Sequence, residues 1–396
     1  MTDAPAQRPL SLYFVAAEES GDALGAALIR ALKAAHRGPL DLAGVGGRAM
    51  AAAGIASPFG IEDLSIVGLS AIPRRLPNIV RRIRQTADAI IVKKPDVLVI
   101  IDSPDFTHRV ARRVRQHVAS MPILDYVSPS VWAWRSGRAV AMRSYVDEVL
   151  AILPFEPAAH ARLGGPSCTY VGHPLIEHIA DLRPNASETR RRLSDPPLVL
   201  VLPGSRLTEI RRLLGIFGRA IERIAERAGH LEVMLPTVPH LAAYVRDATA
   251  AWAVTPRLVV DPAEKWSAFR NARAALAASG TVTLELALAG VPTVAAYRLS
   301  ILEEIVARVM RFHAKLQSVI LANLIMGENV IPEFLQWDCT PERLADALLP
   351  LLSDTPQRRR QLDAFGKLDA TMGVGGEPPS AKAADIVLAV AERGQR

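Results

Sequence analysis

Eleven short apolar runs, separated by stretches with helical spacing, constrain this chain more than any other feature. They lie at 12–16 (LYFVA), 40–45 (LDLAGV), 97–102 (VLVIID), 122–127 (PILDYV), 148–153 (EVLAIL), 169–172 (TYVG), 198–203 (LVLVLP), 232–236 (EVMLP), 257–260 (RLVV), 274–279 (AALAAS) and 293–297 (TVAAY). Most are continuously apolar rather than alternating, as strands buried on both faces are, and such strands belong to parallel sheets covered by helices. Eleven is more than one small doubly wound sheet needs, so the fold class is α/β with two Rossmann-like domains. A polar, proline-bearing run, DLRPNASETRRRLSDPP at 181–197, breaks the alternation, and a fresh strand follows it. This sets an N-terminal domain at 1–185, a second at 186–365, and a helical tail at 366–396 that either packs back on the first domain or stays with the second. Ligands of open parallel sheets bind outside the carboxyl ends of the strands, so the default site is the cleft between the two sheets.

The bulk numbers agree with that architecture. The chain has 396 residues, 50% of them hydrophobic and 22% charged, enough for two cores. Its two cysteines, Cys168 and Cys339, are far apart and in no metal-ligand spacing, which suits a reducing cytoplasm better than a disulfide scaffold. The start, MTDAPAQRPLSLYFV, carries no basic segment followed by a long apolar one, so no secretory signal is expected. Residues 274–297 are long enough to span a bilayer, but Gly280, Glu285, Gly290 and Pro292 make strand, turn, helix and strand the better reading.

Net charge is +7. The excess is concentrated at 73–94 (PRRLPNIVRRIRQTADAIIVKK) and 109–115 (RVARRVR). Basic amphipathic helices lie on anionic membranes or on nucleic acid. Without a nucleic-acid motif or interleaved aromatics, the membrane surface is the better functional reading, beside the plain one of a solvated arginine-rich face.

Several strand ends carry residues with chemistry. AAEESGDALGAALIRALK (16–33) turns at Ser20-Gly21; Glu18, Glu19 and Asp22 repel phosphate and suit sugar hydroxyls, while Asp22 also reads as a helix cap. GVGGRA (44–49) matches a dinucleotide fingerprint formally, but it follows the second strand and its helix breaks at Gly54 and Pro58, so it reads as a structural turn. VIIDSPDFTHRVARR (99–113) ends its strand in Asp102, a candidate general base, with Asp105 as a candidate cap; both also read as ordinary turn residues. His108 reads as a solvated helix residue, with a role as a base the alternative. YVSPSVWAWR (126–135) offers Tyr126, Trp132, Trp134 and Arg135 either for stacking on a sugar or acyl chain or for packing. His173 in YVGHPL reads as a rigid entrance to the linker rather than a base.

In LVLVLPGSRLTEIRR (198–212) the strand stops at Pro203-Gly204-Ser205 and a helix begins near Thr208. Free backbone N–H groups, the positive helix end and the Arg206 fork suit an anion; a surface arginine on an ordinary connection is the alternative. AASGTVTLELALAGVP (277–292) repeats the arrangement with Ser279-Gly280-Thr281 and places Glu285 a turn inside, ready to accept from ribose hydroxyls. The two units together suit a diphosphate and a ribose.

Taken in order, AEESGD, KPDVLVIIDSPDF, YVSPSVWAWR, LPFE (153–156), YVGHPL, LPGSR, ASGTVTLE and NLI…IPEFLQ (323–336) resemble the lipid-A-disaccharide synthase family across nearly the whole chain. The resemblance implies a GT-B fold and a glycosyltransferase that joins UDP-2,3-diacylglucosamine to 2,3-diacylglucosamine 1-phosphate (lipid X), with inversion, giving a β-1,6-linked disaccharide and UDP in lipid A biosynthesis. It implies Asp102 as the base and Arg206 on the departing diphosphate beside Gly204 and Ser205. Ser279, Gly280, Thr281 and Glu285 would hold the nucleotide, with Asn323 nearby, and Glu18, Ser20 and Asp22 would line the acceptor side. It implies no cofactor and no metal, since helix dipole and arginine stabilise the leaving charge. The basic 69–94 stretch would dock the protein, from the cytoplasm, on the anionic inner face of the inner membrane; a homodimer is left open. Two other readings stand beside it. A UDP-sugar epimerase would not account for the basic apolar surface or the aromatic segment, and a non-catalytic nucleotide-binding protein would have no use for Asp102.

Overall fold

The computed structural model describes residues 8–64, 72–299 and 318–394, with backbone alone at 72–75. The chain divides into two compact units, one of 1–176 with 375–396, the other of 177–374.

The first unit holds strands β1 (Leu10–Ala16), β2 (Leu40–Val45), β3 (Val97–Ile101), β4 (Ile123–Tyr126), β5 (Glu148–Ala151) and β6 (Ser167–Tyr170). Among the described residues its helices up to residue 176 are α1 (Glu19–Ala35), α2 (Arg48–Ala52), α3 (Ile72–Lys93), α4 (Pro104–His117), α5 (Gly137–Met142) and α6 (Glu156–Leu163). The strands form one parallel sheet in the order β2-β1-β3-β4-β5-β6. Successive residues of a strand face opposite sides, and β3 shows the result. Val97, Val99 and Ile101 join Leu12, Phe14, Leu28 and Leu32 in one core, whereas Leu98 and Ile100 join Ile90, Val110 and Val114 in the other.

In the second unit the strands are β7 (Leu198–Leu202), β8 (Glu232–Pro236), β9 (Arg257–Val259), β10 (Ala274–Ala278), β11 (Thr293–Tyr297) and β12 (Glu333–Leu335). Among the described residues its helices are α7 (Ile179–Leu182), α8 (Ala186–Leu193), α9 (Leu207–Ala228), α10 (Ala242–Thr249), α11 (Pro262–Asn271), α12 (Val282–Leu288), α13 (Leu321–Met326), α14 (Pro341–Leu348) and α15 (Pro356–Met372). The sheet is parallel, ordered β12-β11-β10-β7-β8-β9. Helix α9 buries Ile210, Leu213, Leu214, Phe217, Ile221 and Ile224, the spacing of one helical face. Each buried Leu, Ile or Phe of that face contributes roughly 1.5–3 kcal/mol, which fixes the helix, and so its first turn, against β7.

The division falls before the polar run that reads as a linker in the sequence. Arg192 of that run is buried and donates to the carbonyls of Phe269, Arg270, Ala289 and Gly290, which ties α8 into the second unit. The final helix, α16 (Pro379–Gly394), returns to the first unit. Its Ala383, Ala384, Val387, Val390 and Ala391 share a core with Leu28, Ile29 and Leu32 of α1. Residues 274–297 are β10, α12 and β11, and no helix of the described residues is long and apolar enough to cross a membrane.

Candidate active site

In each sheet one pair of neighbouring strands sends its outgoing connections to opposite sides: β1 and β3 in the first unit, β7 and β10 in the second. Such switch points open a crevice at the carboxyl ends of the strands. Both sheets put motif residues there: Ser20 and Asp102 after β1 and β3, Gly204–Arg206 and Ser279–Thr281 after β7 and β10.

Asp102 and Ser103 both adopt left-handed backbone, with φ of 54° and 46°. Each such non-glycine residue costs of order 1–3 kcal/mol, so neighbours must impose it. The Asp102 N–H donates to the Tyr126 carbonyl at 3.0 Å. The buried Thr107 hydroxyl reaches the Asp102 and Ser103 carbonyls at 2.6 and 3.1 Å. The half-buried carboxylate accepts from the Ser103 N–H at 2.7 Å and from the Ser20 hydroxyl at 3.1 Å. Gly21 permits this meeting, because a Cβ there would lie 3.1 Å from the Ile101 carbonyl oxygen. Two donors leave the carboxylate with free lone pairs, enough to take a proton from a third group. Ser20 and, two residues before it, Glu18 are exposed in the turn after β1.

Asp22 does not line that surface. It is buried, and its carboxylate accepts from the N–H groups of Gly47, Ala49 and Met50 at 2.7, 2.8 and 3.0 Å, capping the first turn of α2. The acceptor-side expectation for Asp22 therefore gives way to a structural one, and the same bonds explain GVGGRA as a turn gripped by an aspartate. Asp105 is no cap either: Ser103 holds the N-cap position, and Asp105 faces Arg138 and Arg135 at 3.5 and 3.9 Å.

His108 is not solvated. It is buried between Asp125 and Tyr145, with Nε2 3.0 Å from Asp125 Oδ2 and Nδ1 3.1 Å from the Tyr145 hydroxyl. The aromatic loop after β4 is pinned as well. Trp132 Nε1 donates to Glu156 at 3.2 Å, and the Leu153 N–H donates to its other oxygen at 3.0 Å. Trp132 also meets Phe155 edge-on at 5.1 Å. Burial pushes the Glu156 carboxyl up to about 7 and holds the His173 imidazole down at about 4. Sequence reading does not single out Asp125, whose signal is an aspartate inside the apolar ILDY strand, and it quotes Glu156 only as the end of LPFE, without a role.

In the second unit Gly204 takes a φ of 110°, and α9 starts at Leu207 with Arg206 as its N-cap residue. The Arg206 side chain is 79% exposed and pairs with Glu209 at 3.2 Å. Gly280 and Thr281 are exposed after β10, and the Ser279 hydroxyl donates to the Val319 carbonyl at 3.3 Å. Glu285 lies inside α12 against Lys265, 2.7 Å from its Nζ, a partner sequence reading did not supply. Asn323 is a correction: its side chain is buried and consumed. Its Oδ1 accepts from Val330 N and Ile331 N at 3.1 and 2.9 Å, and Nδ2 donates to the Ile331 carbonyl at 2.9 Å. It clamps the loop between α13 and β12 instead of facing a ligand.

Two Rossmann-like domains with polar turns at both switch points define a protein of the GT-B class, shared by glycosyltransferases and nucleotide-sugar epimerases. Solved structures agree on the fold. The UDP-GlcNAc 2-epimerase of Methanocaldococcus jannaschii, in complex with UDP-GlcNAc and UDP, matches with a TM-score of 0.60 at 13% identity, covering 96% of this chain and 100% of that one. CalG4, the calicheamicin glycosyltransferase, matches at 0.58 and 15%, covering 98% and 99%. Sequence decides within the class. Residues 12–384 match the family model described as lipid-A-disaccharide synthetase. The lipid-A-disaccharide synthase of Rhodopseudomonas palustris (strain HaA2) is 58% identical over 380 residues, 96% of each chain. That of Bradyrhizobium diazoefficiens is 56% identical over 385 residues, 97% of each. The chain belongs to the lipid-A-disaccharide synthase family and is a glycosyltransferase of lipid A disaccharide synthesis.

Proposed function

We propose that the enzyme transfers the sugar of UDP-2,3-diacylglucosamine to the 6-hydroxyl of 2,3-diacylglucosamine 1-phosphate, inverting the anomeric centre in one displacement and releasing UDP. Asp102 takes the hydroxyl proton as the new bond forms, and Ser20 orients the carboxylate. On the donor side the Gly204-Ser205 turn, the start of α9 and Arg206 stabilise the charge that develops on the departing diphosphate. The Ser279–Thr281 turn and Glu285 hold the nucleoside, with Lys265 setting the Glu285 carboxylate, and Glu18 serves the acceptor sugar. The observation that carries this reading is the Ser20–Asp102 pair: a carboxylate in imposed left-handed backbone, with spare acceptor capacity, at a strand switch point.

Both lipid substrates reside in a membrane, and we place the protein peripherally on its inner face. Arg81, Arg84 and Lys94 are exposed at or just past α3, and Arg109 and Arg112 on α4. Arg82 and Arg113 are spent on Asp63 and Asp88, which lowers the free charge below the residue count. Residues 69–71 of the basic stretch lie outside the described residues.

The test is a product assay. Purified enzyme with both lipid substrates and a chelator is expected to give a disaccharide 1-phosphate and UDP by mass spectrometry. Isomerised UDP-sugar and no disaccharide would favour an epimerase; intact substrate would leave only a binding protein.

A further inference from the structure

We infer that Glu209 is a resident competitor for the diphosphate: its carboxylate occupies the inner side of the Gly204 turn and holds Arg206, and UDP binds only by displacing it. The inference rests on the proposed reading of this turn as the diphosphate cradle.

The geometry is specific. Glu209 stands at the third position of α9, three residues after Arg206. Its side chain is only 15% exposed, although it belongs to a first helical turn whose other polar side chains, Arg206 and Thr208, are open to solvent. One oxygen lies 3.2 Å from Arg206 Nη1. The other presses on the turn: a Cβ placed on Gly204 would sit 2.5 Å from Glu209 Oε2. Gly204 thus answers two demands, a φ of 110° and room for this carboxylate.

A carboxylate offers two oxygens and a negative charge, the features a helix N-terminus and an arginine fork select in phosphate. The field that would draw a diphosphate to the turn therefore also holds Glu209 there. When the ligand arrives, Arg206 must exchange partners, and the displaced carboxylate remains on the same helical turn as a like charge. Affinity for UDP is then lower than the bare cradle would give, and product departs more readily. An internal anion of this kind discriminates by charge: it weakens binding of the diphosphate and leaves the nucleoside untouched.

The test is calorimetric titration of the full-length enzyme and its Glu209→Gln and Arg206→Ala variants with UDP and, separately, with uridine. Glu209→Gln is expected to bind UDP about three- to tenfold more tightly, the scale of a partly exposed charge interaction at a helix end, with uridine binding unchanged. Product inhibition by UDP should sharpen by the same factor. Unchanged or weaker UDP binding in Glu209→Gln, with weaker binding in Arg206→Ala, overturns the competitor role and leaves the cradle standing. UDP binding insensitive to both variants overturns the cradle and the inference together. Glu209→Ala carries the same expectation and replaces the amide variant if thermal unfolding shows that one to be misfolded.

Discussion

The Ser20 hydroxyl lies 3.1 Å from Asp102 Oδ2 and joins the turns that follow two neighbouring strands, β1 and β3. The carboxylate is aimed by the backbone it stands on and steadied by a side chain from the next turn.

Replacing Asp102 by Asn keeps shape and removes the base. Turnover should fall by about 100- to 10,000-fold, while calorimetry finds UDP affinity unchanged. Ser20→Ala, which removes one hydrogen bond to a charged group, should cost roughly tenfold in turnover. A near-normal rate for Asp102→Asn would assign the proton to another group.

Asp22 makes the opposite prediction. Asp22→Ala strands three backbone N–H groups at the start of α2, so stability measured by denaturant unfolding should fall by about 1–3 kcal/mol. The acceptor KM of the folded enzyme should not move. A raised KM with unchanged stability would return Asp22 to the acceptor surface.

Two buried groups shape stability against pH in opposite directions. Glu156 has a folded value of about 7 against an ordinary 4.5, because burial disfavours its charge. Its contribution is complete below pH 4.5 and is lost as pH rises through 7, at roughly 1.4 kcal/mol for each pH unit crossed between those two values. His173 is held at about 4 against an ordinary 6.5, again by burial. Its contribution is present above pH 6.5 and is lost as pH falls through 4. In Tm profiles Glu156→Gln should flatten the falling limb between about pH 4.5 and 7, and His173→Gln the rising limb between about pH 4 and 6.5. Unaltered limbs would mean that other groups set the curve.

Association with vesicles of anionic lipid should weaken as salt is raised, since the exposed arginines act through a screened field. Substituting Arg84 and Arg109 by Gln should weaken it by about fivefold per charge. Salt-independent binding in a sedimentation assay would point to apolar insertion instead.

The strands were legible because a parallel sheet buries them on both faces, so VLVII or LVLVL admits few other readings. β12 was not: it is three half-buried residues led by Glu333. The PGSR turn and the strand-end aspartate were legible because turn chemistry is local. The roles of Asp22, Asn323 and His108 were not, because each is decided by a partner on another segment. Asp22 is met by N–H groups 25 to 28 residues away, and His108 by an aspartate on the neighbouring strand. A polar residue beside a motif does not announce whether it faces a ligand or the chain's own backbone.

The return of α16 to α1 sets an order of synthesis. The ribosome makes α1 first, and the helix that covers Leu28, Ile29 and Leu32 emerges only after the whole of 177–374. The second unit is continuous in sequence and can finish its sheet while the first still carries an open apolar seam. A nascent or truncated chain that stops short of 379 therefore keeps one unit intact and leaves the other adhesive, so chaperone capture and proteolysis should concentrate on the N-terminal half.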